Sequence, residues 1–495
     1  MFFSPTLLLL FGAVLYAVTK IYNSTRRDKI STDAPALLHA DEWPLVGSVA
    51  FFSERWDFIR KAAAKTKSGC FSFWARNYHV VALTGEEGRR VFMEARELEA
   101  SEGYEILLGG QPQDATSTDS IGFEPFKKRL VKLLKGSVLK DNLPLLLSDL
   151  HGLFEEMAAD PMKITQPFES IYGVVFKLTM RTVACNEVAD SPELCTKILR
   201  CFETIEKTGD NAFAVLFPSV WTPNKARRTW AGAQIYMVFK KIADERARSG
   251  KREKDAMQLL LDQGDNVKQI IGFIIGALFA GQLNSGINAS WMILYLSRYP
   301  EWQRRVRAEV EAVASRYAPN KQRPLKERLM EIPIDAWENE FPTIDVCLKD
   351  CIRLSMGGVG FRRNTSKVNV PIGNSTTEVI PPQAFAVYAA ADTHMNPDIF
   401  PNPSQWDPDR YSAERAEDKK VQYGWWGWGQ GRHPCLGMRF AKLENNMITA
   451  FWLAYFDSEI VDASGNPSDA LPAININNNT AKKPEARSYV KYELR

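Results

Sequence analysis

The segment Trp428-Gly429-Gln430-Gly431-Arg432-His433-Pro434-Cys435-Leu436-Gly437 gathers the residue types with the most specific chemistry in the chain. Gly429 and Gly431 permit backbone turns closed to residues that carry a Cβ. Pro434 stiffens the chain immediately before the cysteine. A helical pattern starts directly after Gly437, so Cys435 stands at a helix amino terminus beside Arg432 and His433. Both settings favour the thiolate, the form of cysteine that binds metals. A glycine-rich loop that presents one such thiolate suits an axial ligand to heme iron. The plainer alternative, a buried free cysteine in a glycine loop, leaves the glycines, the basic pair and the following amphipathic helix unexplained.

A second stretch carries polar groups inside an apolar helix. Val267–Arg298 reads Ala280-Gly281-Gln282-Leu283-Asn284-Ser285 at its centre. Asn284 can orient water but is no facile acid. Ser285 offers a hydroxyl turned about 100° around the helix from it.

These groups need a scaffold. Phe71–Leu83 is rich in β-branched and aromatic residues and reads as a β-hairpin. Helical patterns dominate from about Glu86 to Met356, with helices expected at Pro125–Leu139, Leu194–Lys207, Thr229–Arg248, Val267–Arg298 and Glu301–Ala314. Strand-like residues return from Lys367 to Ala390, and Met438–Tyr455 reads as a final long helix. The expected fold is mainly α with small β-sheets, one large domain at residues 49–495.

Ahead of it, Phe2–Val18 holds no charge, while Lys20, Arg26, Arg27 and Lys29 follow. Its 17 residues span about 26 Å as a helix, and Lys20 with Ile21-Tyr22 extends the reach. A cleaved signal peptide would place its positive charge before the apolar run. The reading is a retained anchor at 2–22 with the body on the cytoplasmic side, and a proline-containing linker at 23–48. The apolar run Ile270–Ala280 is too short before Gln282 to be a second span and reads as a buried core helix.

Composition narrows the classes. The 495 residues are 45% hydrophobic and 24% charged, values of a globular chain. A net charge of +3 argues against an electrostatic nucleic-acid binder. Seven scattered cysteines are not a disulfide framework and fit a reducing compartment.

The cysteine loop resembles the heme-binding loop of the cytochrome P450 family, Phe-x-x-Gly-x-(Arg/His)-x-Cys-x-Gly, with Trp428 in place of the Phe, then Gly431, His433, Cys435 and Gly437. Asp350-Cys351-Ile352-Arg353 is similar to the family's Glu-x-x-Arg. Asp407-Pro408-Asp409-Arg410-Tyr411 resembles its Pro-x-Arg-Phe segment. The resemblance spans about residues 1 to 480 and is closest in style to fungal secondary-metabolism members. It implies the cytochrome P450 fold and heme b ligated by Cys435. It implies that Asp350, Arg353 and Arg410 form a buried triad under the heme loop, with the shorter Asp350 forcing a tighter closure or a water. It implies propionate-binding cations, with Arg363, its neighbour Arg362, Arg432 and one of Lys127, Lys128 and Arg129 on the basic helix, represented by Lys128, as candidates. Gly281 would leave room for dioxygen, and Asn284 and Ser285 would work on the oxygen side, in place of the usual acid–alcohol pair.

The implied activity is insertion of one oxygen atom from O2 into a lipophilic small molecule: a terpenoid, sterol-like compound or alkaloid. NADPH-cytochrome P450 reductase is the implied electron donor, and the endoplasmic reticulum membrane the implied location. Leu283-Asn284 leaves a reductase-independent isomerase or dehydratase as the alternative. Substrate contacts are expected from Gly103–Thr118, Ala212–Val220, Phe273–Leu283, Met356–Phe361 and Ile474–Thr480, with Gly357-Gly358 widening the space beside the heme.

Overall fold

The computed structural model describes residues 26–39, 41–43, 46–107, 123–209, 221–374 and 376–495. The expected anchor at 2–22 lies outside the described residues. Long helices carry most of the body: α1 (Phe123–Leu133), α2 (Gly136–Ala159), α3 (Pro167–Val183), α4 (Pro192–Gly209), α5 (Pro223–Ser249), α6 (Val267–Arg298), α7 (Pro300–Tyr317), α8 (Pro342–Ser355) and α9 (Met438–Tyr455). Their starts follow local chemistry. Proline occupies the first turn of α3, α5, α7 and α8, where its missing N–H costs nothing. Asn266 caps α6 reciprocally: its side chain accepts from Gln269 N at 3.0 Å, and its own N–H donates to the Gln269 side chain at 3.0 Å.

The single helix expected at Pro125–Leu139 is instead two elements, because Lys135 takes an extended conformation between α1 and α2. A Cβ at Gly136 would meet the Arg439 guanidinium at 2.5 Å, so α2 begins where the chain passes close to the foot of α9. Helix α6 is long and apolar enough to cross a membrane, but it is the core of the body. Between Gln282 and Ser297 all of its residues are buried except Asn284. It packs on α3, α8 and α9, and Trp291, Trp337 and Trp452 are among the largest side chains fully enclosed.

The sheets are small. The hairpin β3 (Phe71–Ala75) and β4 (Tyr78–Leu83) joins β1 (Glu42–Trp43), β2 (Gly47–Ser48), β5 (Leu98–Glu99), β7 (Val359–Asn364) and β10 (Phe385–Ala389) in the order β1-β2-β3-β4-β10-β7-β5. Phe71 faces Ala82 across the hairpin, and β10 runs parallel to β4 and antiparallel to β7. A second sheet unites β6 (Ile164–Thr165), β11 (Phe456–Val461) and β12 (Tyr489–Leu494). The short pair β8 (Val370–Pro371) and β9 (Val379–Ile380) completes the set among the described residues.

Candidate functional site

The cysteine loop is a tight backbone construction. Gly429 and Gly431 take φ of +67° and +60°. A Cβ at Gly429 would lie 2.4 Å from His433 O, and one at Gly431 would lie 2.3 Å from Met93 O, so both positions require glycine. Cys435 N donates to Trp428 O at 2.7 Å and closes the loop. The sulfur sits where α9 starts, and the N–H groups of Gly437 and Met438 point at it. Cys435 is an exposed residue although protein crowds around its thiol.

The flanking cations do not act on the thiol as the sequence reading expected. Burial, the largest cause, raises the Cys435 pKa, and the two backbone amides, not Arg432 or His433, oppose it. His433 is itself pushed down to about 4, first by burial and then by Arg362, Arg432 and Lys127, so it is neutral at pH 7. That grouping identifies the cations beside the loop. Arg362 is buried, its guanidinium over the Phe92 ring at 4.6 Å. Arg363, one residue on, points the other way, bonded to Glu102 and Gln383 at 2.8 Å each. Lys128 is exposed, while Lys127 is the helix α1 cation that reaches His433. Alternation along β7 and the helical twist of α1 select one member of each adjacent pair.

Beneath the loop, Asp350 and Arg353 are fully buried and bonded at 2.7 Å and 3.3 Å. Arg410 Nε lies 4.0 Å from Asp350, and its close partner is Glu417 at 2.8 Å. The missing methylene of Asp350 is made up by protein, not by closer approach of Arg410. Tyr411 Oη donates to Asp350 at 2.9 Å and Asp407 N donates at 2.7 Å. Arg353 also donates to the carbonyls of His394 at 3.0 Å and Gln405 at 2.8 Å. His394 in turn accepts from Trp426 N at 3.2 Å, which ties this network to the strand of chain entering the loop. Two cations and two carboxylates therefore balance inside. Glu417 escaped the sequence reading, and Tyr411, seen there only as part of the Asp407–Tyr411 motif, was given no role toward Asp350.

On α6, Ala280 and Asn284 are exposed one turn apart on an otherwise enclosed stretch. Asn284 Nδ2 donates to Ala280 O at 3.0 Å, which leaves its amide oxygen for another donor. Gly281 faces elsewhere: a Cβ there would approach Thr179 of α3 at 4.0 Å, ordinary contact. The small residue beside Asn284 on the accessible face is Ala280, not Gly281. Ser285 is buried and faces Glu444 of α9.

The remaining wall departs from expectation. A Cβ at Gly357 would lie 2.1 Å from Ile476 O, and one at Gly358 2.4 Å from Asn479 O. These glycines admit close approach of the carboxy-terminal segment and do not widen the space. Of the expected substrate windows, 108–118 and 212–220 fall outside the described residues.

The residues fit heme. The sulfur is accessible within the body, two amides support its charge, and cations cluster at one side. A Cβ at Gly437 would meet no protein atom within 4 Å, so the backbone there leaves room for a flat group.

Comparison with known proteins agrees with this geometry. The cytochrome P450 family model matches residues 143–482. The chain is 35% identical to cytochrome P450 monooxygenase AacuE of Aspergillus aculeatus, covering 86% of each. It is 33% identical to cytochrome P450 monooxygenase dmxR5 of a Cryptosporiopsis species, covering 93% of this chain and 90% of that one. The structure of retinoic acid bound cyanobacterial CYP120A1 superposes with a TM-score of 0.71 at 19% identity, over 94% of this chain and all of the other. The chain belongs to the cytochrome P450 family, whose members bind heme through a cysteine thiolate and act as monooxygenases.

Proposed function

We propose that the protein inserts one oxygen atom from O2 into a lipophilic secondary metabolite, taking electrons from NADPH-cytochrome P450 reductase while anchored by residues 2–22 in the endoplasmic reticulum membrane. The observation that carries the reading is Cys435 itself: an enclosed, accessible sulfur at the start of α9, facing the N–H groups of Gly437 and Met438. The fungal monooxygenase relatives support the metabolite class. When bound, heme supplies oxygen activation, with electron push from the thiolate. The chain's own residues do the rest. Gly437 and Met438 amides hold charge on Sγ. Arg362, Arg432 and Lys127 offer positive charge to the propionates. Asn284 orients water on the accessible face of α6, and apolar neighbours such as Leu283 keep bulk water out.

Reduced protein under carbon monoxide is expected to show the red-shifted Soret band of thiolate ligation. Cys435→Ala is expected to lose it; retention of that band would remove Cys435 from the iron. Product analysis by mass spectrometry, after expression with the reductase and exposure to terpenoid, sterol-like and alkaloid panels, tests the substrate class. Turnover that persists with a hydroperoxide or endoperoxide substrate and no NADPH would favour a rearranging enzyme instead.

A further inference from the structure

The carboxy-terminal segment is gripped at three places. Asp57 N, in the short helix Arg55–Ala63, donates to Asn477 Oδ1 at 3.0 Å, and Asn477 Nδ2 donates back to Asp57 Oδ2 at 3.1 Å. The carbonyls of Ile476 and Asn479 leave no room for a Cβ at Gly357 and Gly358. Farther on, Lys483 Nζ donates to Glu203 Oε1 of α4 at 2.7 Å and to Glu169 Oε1 of α3 at 3.3 Å. It also stands over the Tyr172 ring of α3, 4.2 Å from the centroid. One ammonium thus spends its charge on two helices, from a segment that belongs to neither.

The surroundings make that ammonium hard to replace. Glu206 follows Glu203 by one turn of α4. Burial raises its pKa, and Lys483 is the strongest influence against that rise. Glu203 adds to the rise, while Lys207 and Lys482 oppose it more weakly. Three carboxylates, from α3 and α4, therefore share the charge of Lys483.

The two walls it joins both border the accessible face of α6. On one, Gly357 and Gly358 lead into β7, whose Arg362 lies beside the cysteine loop. On the other, Phe202, next to Glu203, packs on Phe279 of α6 with ring centroids 5.1 Å apart. Phe279 directly precedes the exposed Ala280.

We propose that Lys483 is a size-selecting positioning residue, holding α4 to the carboxy-terminal segment and so limiting how large a ligand reaches the accessible face of α6. The inference rests on the heme-thiolate reading above. With the ammonium gone, Glu169, Glu203 and Glu206 repel one another and α4 moves outward from α3. A small ligand needs no such movement; a bulky one does. Lys483 touches no reacting atom and acts through α4.

The test uses the full-length, heme-loaded protein as wild type, Lys483→Met and Lys483→Arg. Methionine keeps an unbranched side chain and removes the charge; arginine keeps the charge. Two iron-binding probes of unlike size, imidazole and clotrimazole, are mixed in by stopped flow and followed by the Soret shift. Lys483→Met is expected to bind clotrimazole about fivefold faster than wild type, and imidazole at an unchanged rate. Lys483→Arg is expected to restore the wild-type rate for clotrimazole. One readout needs no heme: amide hydrogen exchange in α4 is expected to quicken in the methionine variant and to stay unchanged in α9. Equal acceleration of both probes, or of neither, with the carbon monoxide band intact, overturns the proposal alone. Absence of the band from the wild type sinks the heme-thiolate reading instead, and unchanged exchange in α4 then overturns the tie as well. If Lys483→Met fails to hold heme, Glu203→Gln decides by the same pair of rates.

Discussion

Arg410 makes its close ion pair with Glu417 at 2.8 Å and keeps 4.0 Å from Asp350. All three side chains are buried, as is Arg353. The support under the heme loop is thus two linked pairs, and each pair has its own failure.

Removing Glu417 strands the Arg410 guanidinium without its close carboxylate. Glu417→Gln is expected to destabilise the protein by about 3–5 kcal/mol, because an uncompensated buried charge is left. Urea unfolding followed by tryptophan fluorescence reads the loss. A change below about 1 kcal/mol would mean that Asp350 alone balances both arginines.

Tyr411→Phe removes one donor from Asp350 and is expected to cost about 1–3 kcal/mol. Asp350→Glu alone is expected to destabilise as well, since the added methylene drives the carboxylate into the Tyr411 hydroxyl. The double variant should recover part of the loss, and a double-mutant cycle measures the coupling. Additivity would show that the hydroxyl does not stand in for side-chain length.

Glycines in the cysteine loop separate folding from cofactor binding. Gly429→Ala meets both a positive φ of +67° and a 2.4 Å contact, so it is expected to lower stability with or without heme. Gly437→Ala meets no protein atom and is expected to leave the apoprotein's unfolding midpoint unchanged while lowering heme occupancy. Absorbance of heme against total protein distinguishes them.

His394 sets an acid limit. It is fully buried, and its pKa is depressed to about 3, first by burial and then by Arg353. Below pH 6.5 the unfolded state takes a proton that the folded state refuses, so stability falls with falling pH down to about 3. The slope from this group approaches about 1.4 kcal/mol per pH unit. His394→Gln, which can still accept from Trp426 N, is expected to flatten that limb in urea titrations between pH 6.5 and 5.

Much of this was readable from the chain. Val267–Arg298 and Met438–Tyr455 ended where their apolar patterns ended, since each is long, strongly periodic and bounded by clear signals. The cysteine loop was legible because its glycines leave so few alternatives. What escaped was anything decided by side-chain direction. Arg362 and Arg363 are equivalent letters until a strand alternates them. Glu417 could not be matched to Arg410 before a fold set them together. Gly357-Gly358 looked like added room because the segment that fills it lies more than a hundred residues onward. The Cys435 thiol was expected to be lowered both by the helix start and by its charged neighbours; the amides of the helix start do face it, but burial outweighs them and His433 is neutral.

The close contact of Ile476 and Asn479 with Gly357-Gly358 bears on biogenesis. Synthesis is vectorial, and amino-terminal structure forms first. The stretch that packs on Gly357-Gly358 therefore leaves the ribosome after the strand it covers, after the cysteine loop and after α9. This wall of the body is therefore completed after Lys127, Arg362, Arg432 and Cys435 have all been made.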